Sequence, residues 1–288
     1  MGLKRDFWRL GLIGYPLAHS LSPQLHSAAL QAAGLAGEYA LYPIRPLPDG
    51  QAELTSLLLR LWRGEVQGLN VTIPHKQTVL PLLDQLTPAA QAIGAVNTLW
   101  SEAGVLWGDN TDAPGFMADL RRFLGKTYGR LPYALVLGAG GSARAVAYGL
   151  AQDGWTVMVA ARRREQATDL AQRLSSVAAG SVTAVALSAH TLPDIAAGMG
   201  LIVNTTPLGM TPNVNRSPWP EGITWPEDTA VYDLVYNPRE TRLVQQARAA
   251  GARATTGMGM LSEQAALSFT RWTDQALDFH LFAEALPV

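Results

Sequence analysis

Hydrophobic and polar positions fall in two alternating rhythms along this chain, and the switch between them marks out strands and helices in turn. Positions 10–13, 38–44 and 69–73 are short apolar runs of the kind that form buried strands. Between them the apolar residues recur at helical spacing. Ser22 followed by Pro23 predicts a helix start, with a capping hydroxyl and proline at the first helical position; the helix runs to about Ala33 and stops at Gly34. Leu54, Leu57, Leu58, Leu61 and Trp62 mark one face of a second helix, ended by Gly64. Pro74 stops the third strand, and Lys76 opens a helix expected to reach about Leu83. Two strands, 95–100 and 105–107, flank a turn ending in Gly104, and a helix begins near Pro114 with Phe116, Leu120 and Phe123 inward.

The second half repeats the alternation more regularly. A strand at 133–137 runs into the turn Gly138, Ala139, Gly140, Gly141, Ser142, Ala143. Ala143, Ala147 and Leu150 share a helix face, Gly154 ends that helix, and a strand at 155–161 leads to Arg162, Arg163 and Arg164. Ala167, Leu170, Ala171 and Leu174 predict another helix; 182–187, 201–204, 230–235 and 252–256 read as strands, and 240–250 as a helix. The stretch 213–226, rich in proline and tryptophan, is expected as a surface loop, and 260–286 as one terminal helix. Strands alternating with helices predict an α/β fold with mostly parallel sheets.

Composition narrows the classes. With 288 residues, 48% hydrophobic and 16% charged, the chain is globular and long enough for two domains. A net charge of -1 gives no support for nucleic acid or an anionic membrane surface as partner. No apolar run approaches the roughly 20 residues of a membrane span, and the basic start Met1–Asp6 leads into no apolar core, so no signal peptide is expected. The absence of cysteine removes disulfides, thiolate metal sites and a cysteine nucleophile, and fits a reducing, cytoplasmic setting. The five histidines show no ligand spacing, so no metal is expected. Monomer and homodimer both suit this composition.

The 133–161 unit carries the clearest chemistry. Strand, glycine turn, helix and strand make one βαβ unit, the context that a dinucleotide turn requires. Gly138 permits the tight turn, Gly140 lets a pyrophosphate approach the backbone, and Ala143 lets helix and strand pack closely. The helix N-terminus offers unpaired N–H groups to phosphate. An NAD site usually places an acid at the end of the second strand; here Arg162 and Arg163 stand there instead. Arginine suits a 2′-phosphate, so NADP is the expected cofactor; a solvated helix start is the other reading of these arginines. Ser20 and Ser22 lie in a loop beyond a strand's carboxyl end and suit a small carboxylate, or Ser22 serves only as a cap. Lys76 stands at a strand's carboxyl end and in a first helical turn, where its charge opposes the helix dipole and does not serve stability. Asp112 in isolation reads as a helix cap, and His26, inside a helix, as structural.

Several motifs, in order along nearly the whole chain, resemble the shikimate dehydrogenase family. They are the loop 14–27 with Ser20-Leu21-Ser22-Pro23, the run from Gly68 to Lys76, Gly94-Ala95-Val96-Asn97-Thr98, Gly108-Asp109-Asn110-Thr111-Asp112, and the glycine turn. Asn204 to Met210, Asp233 to Pro238 and Gly257 to Gln264 complete the set. The resemblance implies an N-terminal α/β substrate domain (1–110 with 260–288) and a Rossmann-like NADP domain (111–259), with a cleft between them. It implies that Lys76 and Asp112 are the catalytic pair, that Ser20 and Ser22 hold the shikimate carboxylate, and that Asn70, Thr72, Asn97, Tyr236 and Gln264 contact ring hydroxyls. It further implies that Arg162 and Arg163 hold the NADP 2′-phosphate, with Thr206, Met210 and Gly257 near the adenosine or nicotinamide. Ser27 and Ala161 stand where the family often has asparagine; the second change leaves the arginines more of the task.

The implied activity is reversible NADPH-dependent reduction of 3-dehydroshikimate to shikimate, a step of aromatic amino acid biosynthesis. The nearest rival is a quinate/shikimate dehydrogenase with broader substrate or NAD use, which the arginines argue against. A non-catalytic NADP or metabolite sensor is a further class, and an intact Lys76 and Asp112 argue against it.

Overall fold

A computed structural model describes residues 6–177 and 179–286. The basic start read at positions 1–5 lies outside the described residues. The chain divides into two compact units: one holds the chain up to Thr111 and again from Ser262, the other is Asp112–Leu261.

The first unit contains β1 (Trp8–Gly14), α1 (Ser22–Ala32), β2 (Gly37–Pro43), α2 (Gln51–Trp62), β3 (Gly68–Val71), α3 (His75–Thr78), β4 (Gln85–Leu86), α4 (Pro88–Ile93), β5 (Thr98–Glu102) and β6 (Val105–Asp109). Its six-stranded sheet has the order β2-β1-β3-β5-β6-β4. β1 pairs in parallel with β2 and β3, and β5 pairs antiparallel with β3 and β6. The β5–β6 hairpin turns at Ala103 and Gly104, both with positive φ, the geometry whose twist matches two-residue hairpins. Leu54, Leu57, Leu58 and Leu61 of α2 pack with Ile13, Leu69, Val71 and Leu99 into one core. Each such leucine contributes roughly 1.5–3 kcal/mol by leaving water.

The second unit begins with α5 (Asp112–Leu124). It continues through β7 (Tyr133–Leu137), α6 (Gly141–Gln152), β8 (Thr156–Ala161), α7 (Arg164–Ser175), β9 (Val182–Ala186), α8 (Leu192–Ala196), β10 (Leu201–Asn204), β11 (Ala230–Asp233), α9 (Arg242–Ala249) and β12 (Arg253–Thr256). The sheet is parallel throughout, in the order β12-β11-β10-β7-β8-β9. Alternate strand residues feed opposite faces. Ala134, Val136, Val157, Val159, Leu201 and Val203 join a core with Phe116 and Leu120 of α5 and with α6 and α7 residues. Leu135, Leu137, Ala160, Ile202 and Val231 join one with Leu243, Val244 and Ala247 of α9. A parallel sheet covered on both faces is the doubly wound arrangement.

α10 (Met258–Thr273) crosses from the second unit into the first, and α11 (Phe279–Glu284) follows. The single terminal helix expected over 260–286 is thus two helices: Asp274 takes a positive φ of 57° and Asp278 caps the second segment through His280 N. Both segments bury an apolar face, so the periodicity runs on past the break.

Other expectations are corrected as well. Leu21, not Ser22, occupies the N-cap of α1, with no side-chain cap bond, and Ser22 is its first residue. Lys76 lies in a four-residue helix, and Leu80–Leu82 is a 3₁₀ turn in place of a continuation to Leu83; Pro81 supplies no N–H to an α-helical ladder there. Trp62 is 48% exposed and its Nε1 donates to Gly104 O at 2.6 Å, so it leaves the buried face of α2 for the hairpin turn. The segment 213–226 is not simply surface: Trp219 is 1% exposed, stacks on Trp225 at 4.1 Å, and closes the α9-side core.

Candidate active site

In the second unit the sheet order reverses direction at β7, with β8 on one side and β10 on the other. Loops leaving the carboxyl ends of these strands diverge there and leave a crevice. The β7–α6 turn is one wall. Gly138 has φ +115°, and a Cβ on it would meet Thr205 Oγ1 at 2.5 Å, so only glycine fits. Gly140 has nothing within 4 Å of where a Cβ would stand. That open volume lies at the N-cap of α6, beside Gly141 and Ser142, where main-chain N–H groups face outward. Ala143 is fully buried beneath it. The open position and the helix N-terminus fit a phosphate group in charge, and a side chain on residue 140 would stand in its way.

Arg162 is the residue after β8 and Arg163 is the N-cap of α7; both are exposed and clear of the sheet. The β10 loop forms the other wall. Thr205 Oγ1 donates to Leu137 O at 2.8 Å, tying this loop to the end of β7. Thr206 donates to Asn204 Oδ1 through its N–H at 2.9 Å and through Oγ1 at 2.7 Å. Met210, 37% exposed, lies further along the loop. A Cβ on Gly257 would strike Leu234 O, so close backbone packing by itself requires glycine there. Tyr236 is partly buried, and desolvation pushes its phenol above the usual value. Asp112 is the buried first residue of α5.

In the first unit the carboxyl ends of β1 and β3 lie together. Thr72 N donates to Ile13 O at 2.8 Å and Tyr15 N to Ile73 O at 2.9 Å. A Cβ on Gly14 would strike Thr72 Cγ2. The loop with Ser20 and Ser22 leaves from this point, and Ser22 N donates to Ser20 Oγ at 3.3 Å, giving the two hydroxyls a shared turn. Lys76 follows Thr72 by one short turn, and its carbonyl accepts from Val96 N at 2.8 Å, directly beside Asn97.

Asn97 and Asn70 are the centre of a buried polar network. Asn97 Nδ2 donates to Thr111 Oγ1 at 2.9 Å and Gln264 Oε1 at 3.3 Å, while its Oδ1 accepts from Thr111 N at 2.7 Å. Asn70 Nδ2 donates to Asn97 O and to Ser268 Oγ, each at 3.0 Å, and its Oδ1 accepts from Tyr39 Oη at 2.8 Å. Asn70, Asn97 and Gln264, named from sequence, are therefore one cluster. Tyr39, Thr98, Thr111 and Ser268 belong to it too, and the sequence assigns none of them a role. His26, fully buried, stacks on Tyr39 at 4.3 Å with an interplanar angle of 2°. Neither of its ring nitrogens has a hydrogen-bond partner among the described residues. Burial lowers its pKa to about 3, with the Asn70 side chain opposing the shift, so it stays neutral as a structural histidine.

The first unit matches a family model described as the shikimate dehydrogenase substrate binding domain, over residues 12–99. A shikimate dehydrogenase (NADP(+)) of Salinibacter ruber is 42% identical over 277 residues, covering 92% of this chain and 92% of its own. Shikimate 5-dehydrogenase of Thermus thermophilus, solved with NADP(H) and shikimate, is 38% identical with a TM-score of 0.80; the match covers 96% of this chain and 98% of that one. Quinate dehydrogenase of Corynebacterium glutamicum, solved with NAD, is 34% identical with a TM-score of 0.84, covering 98% and 99%.

Proposed function

The chain belongs to the shikimate dehydrogenase family, and from that premise we propose that it catalyses the reversible NADPH-dependent reduction of 3-dehydroshikimate to shikimate. This is a step of aromatic amino acid biosynthesis, and we take it to run in the cytoplasm. The observation that carries the reading is the convergence of Thr72, Lys76, Asn70, Asn97 and Gln264 at one end of the first unit's sheet. A polyhydroxylated ring needs many fixed donors and acceptors, and this cluster supplies them on a rigid frame.

When bound, NADPH would supply the hydride that the carbonyl carbon receives. The protein's residues supply position and a proton. Ser20 and Ser22, held in one turn, accept the carboxylate through hydroxyl donors. Thr72 and the amides of Asn70, Asn97 and Gln264 fix the ring through its hydroxyls. Lys76, as ammonium, gives a proton to the carbonyl oxygen as charge develops there, and in the reverse direction takes it from the hydroxyl. Asp112 completes the catalytic pair by accepting from a substrate hydroxyl. The Gly138–Ala143 turn holds the pyrophosphate through main-chain N–H groups, and Arg162 and Arg163 bind the 2′-phosphate. Thr206, Met210 and Tyr236 complete the two binding sites.

The likeness to a quinate dehydrogenase solved with NAD keeps one rival in view. Initial rates with shikimate and quinate, each crossed with NADP and NAD, separate the two. A strong preference for shikimate with NADP is expected; equal rates with quinate or NAD overturn it. Lys76→Ala should lower kcat by about 10²–10⁴-fold with KM for NADP unchanged.

A further inference from the structure

We propose that Asp233 is a positioning residue that holds Thr206 and Tyr236 in register, through Asn204 on one side and the Val235 amide on the other. The inference rests on the assignment of Thr206 to the cofactor and Tyr236 to the substrate.

Asn204 and Asp233 are the last residues of neighbouring parallel strands and stand opposite each other in register. Both are fully buried. Asn204 Nδ2 donates to Asp233 Oδ1 at 2.8 Å, and the Val235 N–H donates to the same oxygen at 3.0 Å. Thr241 Oγ1 donates to Asp233 Oδ2 at 2.6 Å. Thr241 is itself the N-cap of α9, accepting from Val244 N. One carboxylate thus fixes three segments: the end of β10, the turn into Tyr236, and the start of α9. The side-chain oxygen of Asn204, oriented by its amide's bond to Asp233, takes both donors of Thr206.

The other strand ends around the crevice show that this arrangement is not demanded by the fold. β7 ends in Leu137 and β8 in Ala161, both apolar. A buried carboxylate held by neutral donors is costly: desolvation raises its pKa to about 6 despite the bonds from Thr241, Val235 and Asn204. A side chain kept at such a cost, at the point where two loops diverge, does a positioning job. A carboxylate suits it because its two oxygens accept several donors at once.

The test is steady-state kinetics with NADP and shikimate varied separately, with direct NADP binding by protein fluorescence and melting curves alongside. Asp233→Ala should raise KM for NADP and for shikimate, each about fivefold or more, with kcat little changed. Asn204→Ala should raise KM for NADP alone, because it cuts the Thr206 arm while the Val235 N–H and Thr241 Oγ1 still hold Asp233 beside Tyr236. Asp233→Asn should recover wild-type KM values, since its amide oxygen still accepts from Asn204 and Val235 while its NH₂ donates to Thr241. A purely structural Asp233 would lower the melting temperature with no selective KM shift, and that result overturns the proposal; so does Asn204→Ala raising both KM values equally. If Asp233→Ala does not fold, Asn204→Ala decides: it must still raise KM for NADP alone. Failure of wild type to turn over shikimate rejects the functional reading instead, and the fluorescence titrations still judge the Thr206 arm.

Discussion

The two units build binding surfaces from different materials. Around Gly138 and Gly140 the second unit uses main chain: a positive-φ turn, an empty position where a Cβ would stand, and a helix N-terminus. Around Asn97 the first unit uses side chains that satisfy one another while buried. The difference teaches where each tolerates change. A main-chain site is indifferent to side-chain identity except where glycine is obligatory. A side-chain network fails wherever one partner is removed, because the remaining groups stay buried without a partner.

Acid is the widest way to break the comparison, because the units carry buried titratable groups of opposite sense. His26, in the first unit, has a pKa lowered by burial from 6.5 to about 3. Its folded form binds a proton more weakly than its unfolded form, so its contribution is present above pH 6.5 and is lost as pH falls toward 3. The loss amounts to ~5 kcal/mol at most. His26→Phe should flatten that slope in urea-unfolding free energies collected from pH 7 to 4. A slope identical to wild type would show that His26 does not drive acid sensitivity.

Asp233, in the second unit, runs the other way. Its pKa is raised from 3.8 to about 6, so the folded state holds the proton more tightly. Its contribution to stability is fully present below the lower value and is lost as pH rises through about 6. The effect is ~3 kcal/mol at most. Relative to Asp233→Asn, wild type should gain stability on going from pH 7 to 4, and a parallel pair of pH profiles would contradict this.

Gly140→Val sharpens the comparison further, with an effect on binding and not on stability. With nothing within 4 Å of the new Cβ, the melting temperature should move little. The branched side chain would fill the phosphate cradle, so NADP affinity should fall about 100-fold, or ~3 kcal/mol. Unchanged affinity by titration would remove the pyrophosphate from this turn.

Legibility in the sequence followed the same division. The β7–α6–β8 stretch was readable because its signals are contiguous: an apolar run, glycines at the turn, an apolar helix face and a second run. The first unit's network was readable only in part. Asn70 and Ser268 meet across 198 positions and Tyr39 and Asn70 across 31, and no periodicity links such residues. Tyr39 reads along the chain as an ordinary strand residue, and Ser268 as a small residue in a helix. The Lys76 helix reads too long in the sequence because Leu80, Leu82 and Leu83 keep an apolar rhythm, while Pro81 and the turn at Val79 decide the backbone. The proline-rich stretch 213–226 reads as a surface loop, and composition does not reveal that its Trp219 covers a core.

The path of α10 has a consequence for synthesis. Residues up to Thr111 leave the ribosome ahead of the second unit, yet Gln264, Ser268 and Trp272, which complete their network and seat against Gly68 and Leu99, leave only after it. The second unit, contiguous from Asp112 to Leu261, has all its strands in hand before that point. Asn97 and Asn70 therefore wait for Gln264 and Ser268 while the whole of the second unit is made. The unit begun before the other is finished after it, and a chain cut short between Leu261 and Ser268 would hold every strand of the second unit while its first unit lacked Ser268 and Trp272.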